Sequence, residues 1–300
     1  MRMVDALAEA FADLSAGWTQ SPPRTIVEHG GDRQLLAGTA VWARRGVGSV
    51  KITTLTPDNP GRGLPLIHGV VVLTDLDTGR ITALLDGAEL TAVRTGAVAG
   101  LATRLCAPTD AAELAVLGAG VQAHAMVRAV SAVRPITTVR VFSRGRERAE
   151  AFGAWIRAEH GHAVEVCDDA ESAVRDAAVV CTATSTDDAT PLVAADWVAP
   201  GAHVNIVGGT HENAIEVDPS LLAGAFTVVE QRAAAVDDAG EVRAALAAGH
   251  VTVDDLHELG ELAVPTIGAR PAGQVSVFRG VGMPIEDTAV AWAIYASAAG

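Results

Sequence analysis

Gly118, Gly120 and Ala123 stand in the run from Glu113 to Met126, ELAVLGAGVQAHAM, at the spacing G-x-G-x-x-A. An apolar strand pattern precedes the first glycine and a helical pattern follows the second, the context in which this spacing carries information. Gly118 permits the tight turn, Gly120 lets the backbone come close to a pyrophosphate, and Ala123 keeps helix and sheet close together. The free N–H groups and positive end of the helix favour phosphate charge, with Val121 and Gln122 as further contacts. The chemistry implied is dinucleotide binding. Thr182 and Thr184, at the end of the strand pattern AAVVCTAT, are further candidates for the same ligand.

The second strand of the same region decides which dinucleotide. A domain that prefers NAD offers an acid there to the ribose 2′-OH, but this chain has Phe142-Ser143-Arg144-Gly145-Arg146. Ser143 can donate to a 2′-phosphate, Arg144 can grip it with its planar fork, and Arg146 is a second cation. NADPH is therefore the preferred cofactor, with NADH possible. The competing reading is that Arg144, Arg146 and Arg148 only line a solvated helix start.

A second constellation lies earlier. Arg24 follows a double proline, Lys51 sits inside an apolar strand, His68 opens another strand, and Arg94 lies in the helix that follows. Together they could converge on a carboxylate. For Lys51 alone, two readings stand: period-two geometry puts it on the face opposite Val50 and Ile52, which is either water or a binding site.

These residues need elements to hold them. Residues 1–18 read as an amphipathic helix. Residues 24–86 carry short β-branched runs broken by turns, ending in a hairpin about Asp77-Thr78-Gly79, so an antiparallel sheet is expected. A helix over 89–106 closes this part and Pro108 ends it. From 107 to 283 strands alternate with helices, the pattern of right-handed βαβ units on a parallel sheet. The segment IEDTAVAWAIYASAA is a final apolar helix, and Asp287 reads as its helix-start residue. The fold class is α/β, a Rossmann-type doubly wound parallel sheet plus a β-rich α+β platform.

Composition excludes several functions. With 22 Lys and Arg against 36 Asp and Glu, the formal charge is −14, which argues against nucleic acid or an anionic membrane surface as partner. No apolar run approaches the roughly 20 residues of a membrane span. The first helix pattern is interrupted by Asp5, Glu9 and Asp13 and lacks the features of a secretory signal. Three cysteines without CxxC spacing make the cytoplasm the simplest compartment. The histidines do not point to a metal centre.

PPRTIV, SVKITTLTPDN, LTDLDTGRITALLDGAELTAVRTGAVAGLA, LAVLGAGVQAHAM, PGAHVNIVGG and VFRGVGMPIEDTAVA follow in order over nearly the whole chain. In these runs the chain resembles the ornithine cyclodeaminase and mu-crystallin family. The resemblance implies a platform of residues 1–106 and 284–300 that binds substrate and forms a homodimer, a dinucleotide-binding domain over 107–283, and an active site in the cleft between them. It implies that Arg24, Lys51 and Arg94 hold the substrate carboxylate, that Lys51 also transfers a proton near the imine, that His68 borders the pocket, and that Gly282 lies near the nicotinamide.

One departure bears on the reaction. In cyclodeaminating members an aspartate occupies the second position after the first glycine of NIVGGTHENAIEVD, and here that position is Thr210. A hydroxyl is no general base unaided. His211 and Glu212 either substitute for it or line a solvated loop. Ketimine reductase-like members carry a small hydroxyl residue there, share the arginine after the second strand, and prefer NADPH. The resemblance thus implies hydride transfer to the C=N carbon of an imine of a 2-oxo acid, cyclic or open-chain, giving an L-amino acid, with Thr210 orienting substrate or water. Two alternatives stay open: a redox-neutral lyase using bound NAD, and a non-catalytic binding protein of the mu-crystallin kind.

Overall fold

A computed structural model describes residues 2–30, 32–185, 190–209, 214–264 and 270–299. The chain divides into two units, one of Arg2–Arg94 with Gly282–Gly300 and one of Thr95–Val281. The division falls within a helix, and between Val281 and Gly282.

The first unit begins with helix α1 (Arg2–Ser15), whose apolar stripe of Val4, Leu7, Phe11 and Leu14 is buried. Strands β1 (Thr19–Gln20), β2 (Thr25–Glu28), β3 (Gln34–Trp42), β4 (Val47–Leu55), β5 (Ile67–Asp75) and β6 (Ile81–Asp86) follow. They form one antiparallel sheet of order β1-β3-β4-β5-β6, with β2 also on β3. Gly79, in the turn between β5 and β6, takes a φ of +70°. Helix α2 (Gly87–Cys106) leaves β6, and helix α9 (Pro284–Ala299) returns to lie against α1, β3, β4 and β5.

Alternation along β4 decides what the sheet offers to α9. Ser49, Lys51 and Thr53 are buried, while Val50 and Ile52 are 37% and 43% exposed. The expected alternation is present with its usual polarity inverted. The polar groups of β4 face the helix, and Val27, Leu35, Val70, Ile81 and Leu84 extend the apolar surface outside.

The second unit alternates: β7 (Glu113–Leu117), α3 (Val121–Val133), β8 (Thr138–Phe142), α4 (Arg146–His160), β9 (Ala163–Val166), α5 (Ala170–Val174), β10 (Val179–Thr182), β11 (His203–Ile206), β12 (Phe226–Val229), α6 (Arg232–Asp238), α7 (Gly240–Ala247), β13 (Leu256–Glu258), α8 (Leu259–Ala263) and β14 (Ser276–Arg279). All eight strands are parallel, in the order β13-β12-β14-β11-β10-β7-β8-β9. Strands β10, β11, β12 and β14 are buried throughout, as expected of a sheet covered on both faces. The order reverses at β7, with β8 on one side and β10 on the other. In such sheets a ligand binds at that point, beyond the carboxyl ends of the strands. Among the described residues no helix is long and apolar enough to cross a membrane.

Candidate active site

The turn after β7 has the geometry its glycines require. Gly118 has a φ of +112° and donates its N–H to the Phe142 carbonyl at 2.8 Å. A Cβ there would lie 2.4 Å from the Ala183 carbonyl oxygen, so only glycine fits between β7 and β10. At Gly120 a Cβ would meet nothing within 4 Å, which leaves open space at the start of α3. Gly120 is also the helix N-cap and supplies no side-chain acceptor to the first N–H groups. Val121 is 69% exposed beside them, and Oε1 of Gln122 is buried with no hydrogen-bond partner. A 13-residue helix with an open, uncapped start, whose first N–H groups point at free space, fits a pyrophosphate.

At the end of β8, Ser143 is half-buried and Arg144 is exposed. Arg144 forms no ion pair among the described residues. Arg146 is already taken: its Nε donates to Glu150 at 2.9 Å and its Nη1 is bonded to Asp168. Thr182 and Thr184 likewise turn their hydroxyls inward, to Glu216 at 2.7 and 2.6 Å.

The platform unit gathers charge about Lys51. Its Nζ lies 2.8 Å from Oδ2 of Asp287 and 2.9 Å from Oδ1, and donates to Thr91 Oγ1 at 3.3 Å. Arg94, one turn beyond Thr91 on α2, meets Glu286 Oε2 at 2.8 Å and Asp287 Oδ1 at 3.6 Å. Arg24 donates to the carbonyl of Gly282, and a Cβ on Gly282 would fall 2.5 Å from Nη1 of Arg94. A gathering of cationic side chains of this kind suits an incoming carboxylate. Burial, then the neighbouring Arg94, lowers the Lys51 pKa to about 8; Asp287 opposes the shift, and Arg24 adds to it. Lys51 is thus a cation at neutral pH that gives up its proton more readily than an exposed lysine.

Comparison with known proteins identifies the family. The chain matches the ornithine cyclodeaminase/mu-crystallin family over residues 1–300. It belongs to that family. Among curated relatives, a Δ1-pyrroline-2-carboxylate reductase of Bacillus cereus is 32% identical over 296 residues, covering 97% of this chain and 90% of its own. Among solved structures, the Δ1-pyrroline-2-carboxylate reductase of Thermococcus litoralis, in complex with NADH and L-proline, superimposes with a TM-score of 0.93 at 28% identity, covering 99% of this chain and 92% of its own. An archaeal alanine dehydrogenase dimer with bound NAD follows at a TM-score of 0.90 and 29% identity, covering 99% and 91%.

Of the residues picked out by sequence in this family member, Arg24, Lys51, Arg94 and Gly282 come together, and Gly118, Gly120, Val121 and Gln122 form one turn. His68 does not join Lys51. It pairs with Thr54 across β4 and β5, and directly paired residues share a face, so it stands exposed on the side opposite Lys51. Thr210, His211 and Glu212 lie outside the described residues. Asp287 is more than a helix-start residue. Glu286 accepts the Met283 N–H at 2.6 Å, and Asp287 spends its carboxylate on Lys51. The sequence reads Asp287 only as a helix-start residue because cap and counter-ion use the same residue types, and it assigns Glu286 nothing. His160 and His162 are spaced as some metal ligands are, but their rings stack at 5.4 Å, and among the described residues no three metal-ligating side chains gather.

Proposed function

We propose that this family member reduces an imine of a 2-oxo acid, cyclic or open-chain, to the L-amino acid, using NADPH in preference to NADH. The single observation that carries the proposal is the buried pair of cations Lys51 and Arg94, with Arg24 beside them, in a chain that also holds an open dinucleotide turn. When bound, the reduced nicotinamide supplies a hydride from C4, so the imine carbon gains two electrons and the nitrogen one proton.

The protein's part is orientation and proton supply. The guanidinium of Arg94 and the ammonium of Lys51 take the α-carboxylate, and their ties to Glu286 and Asp287 hold both donors still. Fixed donors matter because orientation provides much of the rate in such a step. The Lys51 ammonium is also the proton donor to the imine nitrogen, and a pKa of about 8 makes that transfer easier than from an exposed lysine. Thr210 is assigned the orienting of substrate or water. Arg144, with no carboxylate partner among the described residues, is the chief contact for a 2′-phosphate, and Ser143 assists it.

The outward apolar face of the platform sheet supports a homodimer, since contiguous exposed apolar surface of this kind marks interfaces. The three cysteines are buried and unpaired, which supports a reducing cytoplasm.

The test is oxidation of NADPH and NADH by the purified protein with 1-pyrroline-2-carboxylate, 1-piperideine-2-carboxylate, and pyruvate or glyoxylate with ammonia or methylamine. Turnover with a ketimine that Lys51→Met abolishes supports the proposal. Proline and ammonia formed from ornithine and NAD, without net reduction, would overturn it in favour of a redox-neutral lyase.

A further inference from the structure

Glu216 is fully buried at the carboxyl ends of β10 and β11. Its Oε1 accepts the N–H and the hydroxyl of Thr184 at 2.8 and 2.6 Å, and its Oε2 accepts the Thr182 hydroxyl at 2.7 Å. Gly208, leaving β11, lies so close that a Cβ there would sit 2.3 Å from Oε1. Behind the carboxylate a second layer fixes the backbone. The Glu216 N–H donates to Glu241 Oε1 at 2.7 Å, Glu241 Oε2 meets Arg279 Nε at 2.8 Å, and Arg279 Nη2 donates to the Gly209 carbonyl at 3.0 Å.

A buried carboxylate costs stability unless its lone pairs are filled, and packed apolar side chains would hold two strand ends together at least as well. Its fixed acceptor geometry offers what packing does not: it sets the direction of one particular turn. That turn is Ala183–Thr184. The Thr184 N–H is tied to Glu216, and the preceding Ala183 carbonyl is the atom against which Gly118 packs. Glu216 is thus one residue removed from the dinucleotide turn. Strand order tells which half of the ligand is concerned. The β8 side carries Ser143 and Arg144 for the adenosine ribose and α3 faces the pyrophosphate, so the remaining half falls on the β10 and β11 side.

We propose that Glu216 is a positioning residue of the dinucleotide site, holding through Thr184 the strand-end turn on which the nicotinamide half rests. This rests on the dinucleotide-binding reading above and adds to it a residue that does not touch the ligand.

The test is equilibrium binding, by titration calorimetry, of NADPH, NADH and 2′-phospho-ADP-ribose, which keeps the pyrophosphate and adenosine but lacks the nicotinamide. Glu216→Ala should weaken NADPH about tenfold or more while the fragment stays within about twofold of wild type. Glu216→Gln keeps one oxygen for Thr184 and should fall between, and Thr184→Val should shift the same ligand in the same direction. If Glu216→Ala does not fold, the Gln and Val variants decide by the same comparison. Equal losses for fragment and dinucleotide, or no loss for either, overturn the positioning role while leaving dinucleotide binding intact. A wild-type protein that binds neither ligand overturns the dinucleotide reading and this inference with it.

Discussion

Asp287→Asn removes one charge from the cluster and changes almost nothing else in shape. In the wild type the carboxylate lies 2.8 Å from Lys51 Nζ, with both side chains buried, and it opposes the lowering of the Lys51 pKa by burial and by Arg94. An opposite charge at this range moves a pKa by roughly 1–3 units. Without it, Lys51 should fall from about 8 to roughly 5–7. The protonated ammonium is the working form, since it both holds the carboxylate and donates the proton, so activity is lost as pH rises through the pKa. At pH 7.5 the protonated fraction would drop from roughly three-quarters to roughly one-quarter or less. The assay is the pH profile of kcat/KM for imine reduction, measured for both proteins alongside their thermal midpoints. The alkaline limb should begin near pH 8 in the wild type and at least one unit lower in the variant. An alkaline limb that stays in place, with the variant folded, would refute the assignment of that limb to Lys51.

Three other outcomes are expected. Arg144→Ala should weaken NADPH by about 1.5–3 kcal/mol, the worth of hydrogen bonds to a charged group, and leave NADH unchanged, whereas Arg146→Ala should matter little because Glu150 and Asp168 already occupy that side chain; dinucleotide titrations separate the two. His203 is fully buried between Ser276 and Asn205, and burial lowers its pKa to about 3. Its folded pKa lies below the unfolded one, so stability is complete above about pH 6.5 and falls as pH drops below it, by about 2 kcal/mol at pH 5; urea unfolding at pH 7 and pH 5 should show that difference shrink in His203→Gln, and an identical pH dependence would contradict it. Ile52→Lys places a charge in the exposed apolar sheet face and should shift sedimentation from dimer toward monomer, with no change expected if the dimer forms elsewhere.

The dinucleotide turn was legible because a strand, two glycines and a helix follow one another directly in the chain, although the Ala183 carbonyl that excludes a Cβ at Gly118 belongs to a distant strand. The hairpin about Gly79, helix α2 and the final helix were legible for the same reason. Lys51 was not decided by pattern. Alternation along β4 told that Lys51 and Val50 face opposite ways, but the inward side is the polar one here, which inverts the usual assignment. The partners of Lys51 and Arg94 come from a helix more than 190 residues away, as the Arg94–Glu286 bond shows, and no spacing rule reaches that far. Strands β13 and β14 have three and four residues, too few for a period, and β14 enters the sheet between β11 and β12 out of chain order. Arg146 looked equivalent to Arg144 until Glu150 and Asp168 were seen to claim it. Glu216 lacked any signal, since its role depends on strand ends that meet only in the folded sheet.

The proposed reaction is net hydride transfer to an imine carbon. Its most direct measurement is the fate of deuterium from NADPH labelled at the transferable C4 position, with the ketimine that turns over fastest in the panel. One deuterium at the α-carbon of the amino acid for each NADPH oxidised is the predicted result. An amino acid formed without deuterium at that carbon, or formed without stoichiometric loss of NADPH, would contradict it.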